Sequence, residues 1–242
     1  MKMTIDEMKN HEWCVSWSGG KDSTATILKM IEYKIPIKKI VHVRMMYTDT
    51  IPATIPCINV FIDTCIEKFR TLGLDVEIIQ SEPAINLVNK KYKKSKKPGR
   101  NSNPYGITAF SRKGCLATSH LKLKAIKKVT QQFDNRYEMV GIAVDEPKRL
   151  ERLDDKKASI LETLNITENE CLEICKVHDC LSPIYNIGIK RDGCFFCPNA
   201  GKAEREYIKE NCPELFEEIM KMYKMCNYDI NGVLNNWLME VK

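Results

Sequence analysis

The stretch Trp13-Cys-Val-Ser-Trp-Ser-Gly-Gly-Lys-Asp-Ser-Thr24 constrains this chain more than any other. Trp13, Val15 and Trp17 alternate as in a β-strand, Ser18-Gly19-Gly20 follow as a tight turn, and residues 22–33 carry a helix-compatible pattern. A strand that turns through glycines straight into a helix presents free backbone N–H groups, and the positive end of the helix dipole, to whatever sits on the turn. Ser18, Ser23 and Thr24 add hydroxyl donors and Lys21 adds a cation, so the guest this stretch suits is a phosphate. The spacing matches neither the Walker loop nor the Gly-x-Gly-x-x-Gly fingerprint. A plain glycine turn capped by Ser18 or Asp22 would explain the helix start and leave Lys21 and the hydroxyls unexplained.

The chain around it has an α/β rhythm. Thr4-Ile-Asp-Glu7 has capping-box form and predicts a short first helix. Residues 39–47 read as a buried second strand, with Thr48-Asp49-Thr50 at its carboxyl end, where open parallel sheets place ligands. Asp49 is therefore a candidate for a nucleotide or a magnesium ion, with a simple turn residue as the equal alternative. A helix from Pro56 to about Gly73, a strand over 75–80, a helix over 116–129 and a strand over 138–144 continue the alternation, which predicts a doubly wound, mostly parallel sheet. Residues 84–112, rich in Gly, Pro, Asn and Ser, read as a loop over the active face. Beyond Asp154 the strand signals fade and helices are expected over 158–164, 168–175, 203–211, 214–225 and 230–240. The resulting division is an α/β nucleotide-binding domain over 1–153 and a helical, cysteine-bearing region over 154–242.

Composition narrows the class. A chain of 242 residues that is 43% hydrophobic and 29% charged can bury a sizeable core. It shows no long apolar run and no signal-like start, so the expectation is a cytoplasmic protein without a membrane partner. Eleven cysteines, odd in number and unevenly spaced, argue against a secreted disulfide framework and for metal or redox chemistry. The segment Lys90–Arg100 holds six lysines, one arginine and no acid. Such a run reads first as a solvated loop, and second as a phosphate or nucleic-acid contact with Tyr92 available for stacking.

Cys194-Phe-Phe-Cys197 is a two-thiol knuckle that needs partners, and it suits a zinc half-site, a redox pair or half of an iron–sulfur site. Cys115 and Cys180 are the candidate partners. Cys171 and Cys175, one helical turn apart, are alternative ligands, although such pairs, like Cys14, Cys57, Cys65, Cys212 and Cys226, more often serve as small apolar packing.

Ser18-Gly-Gly-Lys-Asp-Ser23 resembles the pyrophosphate-binding loop of the PP-loop ATP pyrophosphatases. Together with Val140-Gly-Ile-Ala-Val-Asp-Glu146 and Arg149, Ser182-Pro-Ile-Tyr185, and Lys190-Arg-Asp-Gly-Cys-Phe-Phe-Cys-Pro198, it is similar in order to the phosphoadenosine phosphosulfate (PAPS) reductase family, over residues 13 to about 200. The resemblance implies an adenine nucleotide alpha hydrolase-like fold. It also implies a nucleotide site drawn from Ser16, Ser18, Gly19, Gly20, Lys21, Asp22, Ser23, Asp49, Gly141, Asp145, Glu146 and Arg149. ATP would bind with Mg2+, for which Asp22, Asp49 or Asp145 are the ligands, and Lys21, Asp22 and Cys115 would carry the catalysis. A 4Fe-4S cluster would be held by Cys194 and Cys197, then Cys115, then Cys180, with zinc as the alternative metal. Implied partners are a sulfur donor protein or sulfide and a DNA or tRNA acceptor, and a homodimer is allowed for.

Departures from the family pattern select a branch. The loop is intact, and the C-terminal Glu-Cys-Gly of the assimilatory reductases is missing, which favours use of ATP. Cys115 stands between Gly114 and Leu116, so the Cys-Cys pair of the cluster-bearing adenylylsulfate reductases is missing too. Ala143 stands where many relatives have arginine, which leaves Lys148 or Arg149 for phosphate. The reading is an ATP-dependent, AMP- and pyrophosphate-forming enzyme that supports sulfur transfer. A sulfonucleotide reductase and a nucleic-acid-binding zinc-knuckle module are the alternatives.

Overall fold

The computed structural model describes residues 3–91, 104–110, 115–132 and 137–225. The basic segment 92–100, the helix expected over 230–240 and Cys226 lie outside the described residues. In chain order the elements are α1 (Ile5–Lys9), β1 (Trp13–Trp17), α2 (Lys21–Glu32), β2 (Ile37–Arg44), α3 (Pro56–Thr71), β3 (Val76–Gln80), α4 (Ile85–Val88), α5 (Leu123–Thr130), β4 (Glu138–Met139), α6 (Pro147–Leu150), β5 (Lys157–Ala158), α7 (Ile160–Thr163), α8 (Glu168–Val177), α9 (Lys202–Asn211) and α10 (Pro213–Lys224).

Packing groups the chain into two units that interleave in sequence. Met1–Val43, Pro56–Ile79 and Ala125–Tyr185 form the first; Arg44–Ile55, Gln80–Lys124 and Asn186–Lys242 form the second. The 1–153 and 154–242 division follows chain order, whereas these units follow contact.

The first unit is built on a five-stranded sheet of order β3-β2-β1-β4-β5, in which β1 pairs parallel with β2 and β4, and β4 with β5. The expected α/β class with a mostly parallel sheet is what the chain adopts. From β1 the chain winds outward to β2 and β3 on one side and returns to β4 and β5 on the other. That reversal beside β1 is the topological switch point, where the carboxyl ends of the strands leave a crevice for ligands. Apolar strand residues bury on both faces, as a covered parallel sheet requires: Trp13, Val15 and Trp17 in β1 and Ile40, Val41 and Val43 in β2 are all buried. The Trp17 indole packs edge-on against Phe69 of α3 with centroids 5.2 Å apart, and its Nε1–H donates to Thr24 Oγ1 at 2.9 Å. The capping box at Thr4 and Glu7 forms as expected.

The second unit is helical. Its core is an aromatic cluster in which Tyr47 meets Phe195 with centroids 5.1 Å apart and Phe110 meets Phe196 at 4.5 Å. The Tyr47 hydroxyl donates to Glu218 of α10 at 2.7 Å.

Several elements depart from the sequence reading. The second strand ends at Arg44 rather than Tyr47, because Met46 turns back to bridge Pro52 antiparallel. The segment 84–112 is not a bare loop: it contains α4 and a 3-10 turn at Gly106–Phe110, and it buries Leu87, Val88, Ile107 and Phe110. The helix expected over 116–129 begins as a π-helical segment, Ala117–Lys122, before α5. The strand expected over 138–144 stops at Met139, and Ala158, read as a helix start, instead belongs with Lys157 to an edge strand.

Candidate functional site

The turn after β1 is tied together by its own hydroxyls. Ser18 N donates to Ser23 Oγ at 3.2 Å, the Ser18 and Ser23 hydroxyls lie 3.0 Å apart, and Ser23 Oγ donates to Gly20 O at 3.1 Å. Gly19 has φ +89°, a left-handed conformation open to glycine at little cost, and Gly20 is the N-cap of α2. The loop is therefore shaped before any ligand arrives, with the first amides of α2 at its mouth.

β4 ends early because it must come close to this loop. A Cβ built on Gly141 would lie 2.5 Å from Ser23 N, 2.6 Å from Ser23 Cα and 2.8 Å from the Asp22 carbonyl carbon. Glycine is thus dictated by space, and the chain just past β4 meets the first turn of α2 backbone to backbone.

Lys21 is mostly buried and reaches two carboxylates, with its Nζ 2.8 Å from Asp22 Oδ1 and 2.9 Å from Glu168 Oε2. Burial opposes the ammonium, but the hydrogen bonds from Lys21 to Asp22 and Glu168 outweigh it and raise the Lys21 pKa above its ordinary value. Burial likewise dominates at Asp22 and lifts its carboxyl above the usual range against the pull of Lys21. The Lys21 backbone N–H donates to the Tyr185 hydroxyl at 3.4 Å.

The other expected nucleotide residues of this unit are engaged in pairs of their own. Asp145 accepts the Glu168 backbone N–H at 3.1 Å and so caps α8. Glu146 receives Arg149 Nη1 at 2.6 Å on both carboxylate oxygens, and Ser16 Oγ donates to Glu138 at 2.5 Å. Asp49 belongs to the second unit, exposed at the tip of a turn that Thr48 Oγ1 closes by accepting from Thr50 N and Ile51 N at 3.3 and 3.0 Å.

The cysteines divide between the units. Cys115, Cys194 and Cys197 all fall in the second. The Phe195 N–H donates to Ala53 O at 2.7 Å and anchors the knuckle to the aromatic core. Burial pushes the Cys194 thiol up to about 12, with Cys197 and then Cys115 adding to it. Arg191 Nη2 donates to Cys197 Sγ at 3.1 Å. Glu204, in the first turn of α9, is buried and shares Arg191 as a charge partner. Among the described residues no three His, Cys, Asp or Glu side chains converge into a group able to hold a metal ion.

Cys180 falls in the first unit, buried beside Cys65, whose S–H hydrogen bond, reinforced by Lys68, lowers the Cys180 pKa to about 7. Cys171 and Cys175 face the loop: Cys175 Sγ–H donates to Lys21 O at 3.2 Å, and Cys171 neighbours the Asp22 carboxylate.

Residues that sequence reasoning did not assign are Glu168 and Tyr185 at the loop and Arg191 and Glu204 at the knuckle, while Cys175, expected as an alternative metal ligand or a packing thiol, meets the Lys21 carbonyl. Tyr185 and Arg191 stood within motifs already noted. Glu168 had no signal beyond the capping box Thr167-x-x-Glu170 that starts its helix, because its role depends on α8 folding back onto α2.

No family model matches the chain. It is 26% identical to the uncharacterized protein MJ0973 of Methanocaldococcus jannaschii over 95% of its own length, and it spans about half, 52%, of that relative. Among solved structures it resembles the U34-tRNA thiolase NcsA from Methanococcus maripaludis with its 4Fe-4S cluster, with a TM-score of 0.47, 15% identity, and 91% of this chain and 74% of that chain covered. It also resembles the NH3-dependent NAD synthetase from Campylobacter jejuni in complex with nitrate, with a TM-score of 0.37, 14% identity, and coverage of 91% and 87%.

Proposed function

We propose that this chain is an ATP-using enzyme of the PP-loop type, related to the PAPS reductases, that adenylates an acceptor with release of pyrophosphate and then supports sulfur transfer to it. The observation that carries the reading is the preshaped Ser18–Ser23 turn at the switch point, with Lys21 at the start of α2 and Gly141 pressed against Ser23. Amides at the α2 N-terminus would receive the polyphosphate, and Lys21 would offset charge that builds as pyrophosphate leaves. Asp22 and Asp145 would hold the Mg2+ that offsets the phosphate charge; Asp49, the third sequence candidate, lies in the second unit. Arg149, half exposed and held by Glu146, is the second cation of the first unit assigned to phosphate.

Cys115, Cys194 and Cys197 are the thiolates to which a 4Fe-4S cluster is assigned. Burial and the neighbouring Cys197 and Cys115 raise the cost of ionising Cys194, which a cationic centre would reverse, while among the described residues the three side chains do not converge into a metal-holding group. Such a cluster, when bound, supplies an iron site able to carry sulfide. Arg191 would neutralise Cys197, and the aromatic cluster behind Phe195 would hold the knuckle in place. Cys180 is the weakest of the assigned ligands because its sulfur is engaged with Cys65. A nucleic-acid acceptor is suggested by the Lys90–Arg100 run of the sequence.

The test is pyrophosphate release from ATP by protein purified without oxygen, with bulk tRNA or DNA as acceptor and with iron and acid-labile sulfide measured on the same sample. Lys21→Ala should cut release by about 100-fold or more, the scale of losing one such charge stabiliser, and leave metal content unchanged. Release that survives in Lys21→Ala overturns the loop assignment. Zinc without sulfide overturns the cluster.

A further inference from the structure

The contact between α8 and the loop shows something that neither the motif nor the resemblance assigns. Residues 168, 171 and 175 fall on one face of α8, and all three address the Lys21-Asp22 dipeptide. Glu168 meets the Lys21 ammonium at 2.9 Å, Cys171 neighbours the Asp22 carboxylate, and Cys175 Sγ–H donates to Lys21 O at 3.2 Å. The first turn of α8 is itself fixed, because Asp145 accepts the Glu168 backbone N–H and Thr167 and Glu170 close a capping box. The Glu168 carboxylate is thus delivered to Lys21 by a helix held at its start and along its length.

A tetra-anionic nucleotide that uses Lys21 must take the ammonium from a carboxylate already bound to it. Asp22 adjoins Lys21 in sequence and stays beside it whatever binds. Glu168 comes from a separate helix and presents its charge where the incoming phosphates would lie. We infer that Glu168 is a positioning residue that holds Lys21 and, by competing with the polyphosphate for it, sets the affinity of the loop for its anionic ligand. The inference rests on the proposed use of the loop for phosphates.

Its test is calorimetric titration of wild type, Glu168→Gln and Glu168→Asp with MgATP and with inorganic pyrophosphate, at low and high salt. Glu168→Gln keeps the backbone N–H that Asp145 accepts and removes only the charge. It should bind both probes roughly two- to fivefold more tightly, the scale of losing a partly exposed ion pair, and the gain should shrink as salt rises. Glu168→Asp retains the charge on a shorter arm and should fall between. Glu173→Gln removes an equal charge farther along α8, from an exposed pair with Lys176, and should leave affinity unchanged.

Tighter binding confined to Glu168→Gln supports the inference. Unchanged or weaker binding by Glu168→Gln, or an equal gain in Glu173→Gln, overturns it while the loop assignment stands. Failure of wild type and Glu168→Gln alike to bind either probe overturns the phosphate reading and this inference with it. A purely structural Glu168 would shift the melting temperature and leave both affinities where they were.

Discussion

Gly141 touches Ser23 so closely that any side chain at 141 would have its Cβ 2.5 Å from the Ser23 backbone nitrogen. The obstacle is backbone, which cannot rotate aside as a flexible side chain can. Gly141→Ala should therefore push β4 and the start of α2 apart. The expected cost is about 1–3 kcal/mol, the range for overpacking a tight interior, together with loss of MgATP binding. Thermal unfolding and titration with MgATP check both. An alanine variant with wild-type stability and affinity would show that the chain past β4 can move off α2 freely.

The Trp17 indole supplies a second handle on the same turn. Its N–H, buried under the first turn of α2, donates to Thr24 Oγ1 at 2.9 Å. Thr24→Val keeps the shape and removes the acceptor, which should cost about 1–3 kcal/mol for a buried donor left unsatisfied. For a chain of this size that is a fall of several degrees in melting temperature. Trp17→Phe combined with Thr24→Val should cost less than the sum of the single changes, since the second change then strands nothing. Strict additivity in the denaturation midpoints would count against the hydrogen bond.

Cys180 predicts a pH dependence. The hydrogen bond from Cys65 comes first and Lys68 adds to it, lowering the Cys180 thiol from 9.0 to about 7 against burial. Between these values the unfolded chain holds a proton that the folded chain does not, so folding stability rises with pH from about 7 to about 9 and is lost again as pH falls through that window. Cys65 is shifted upward by the same pairing, so its contribution has the opposite sign and sets in above the ordinary thiol range. Denaturation under reducing conditions at several pH values, with thiolate absorbance followed in parallel, should show this rise in wild type. Cys65→Ala should remove it. A flat profile in wild type would mean that Cys180 stays protonated in the folded chain.

Much of the architecture was legible in residue order because it depends on local chemistry. Alternation at Trp13, Val15 and Trp17, the glycines after Ser18 and the capping box at Thr4 act within a few residues, and each produced the expected strand, turn or helix start. Elements failed where a distant backbone overrode the local pattern. Val140 to Val144 has strand composition, yet the approach of Gly141 to Ser23 ends β4 at Met139. Lys157 and Ala158 have no strand signal of their own and become β5 only because Glu138 and Met139 offer an unpaired edge.

The site divides in the same way. Residue order determined the loop that suits a phosphate, the cation within it and the pair of thiols at Cys194 and Cys197, because those groups lie next to one another in the chain. Only the tertiary structure decided which charge Lys21 meets, which thiol Cys180 meets and which amide Asp145 caps. Those partners stand 147, 115 and 23 residues away in sequence. They are brought into reach by the packing of α8 on α2 and of the chain after α8 beside Cys65 of α3, a burial that carries no record in the sequence of which polar groups it will bring together.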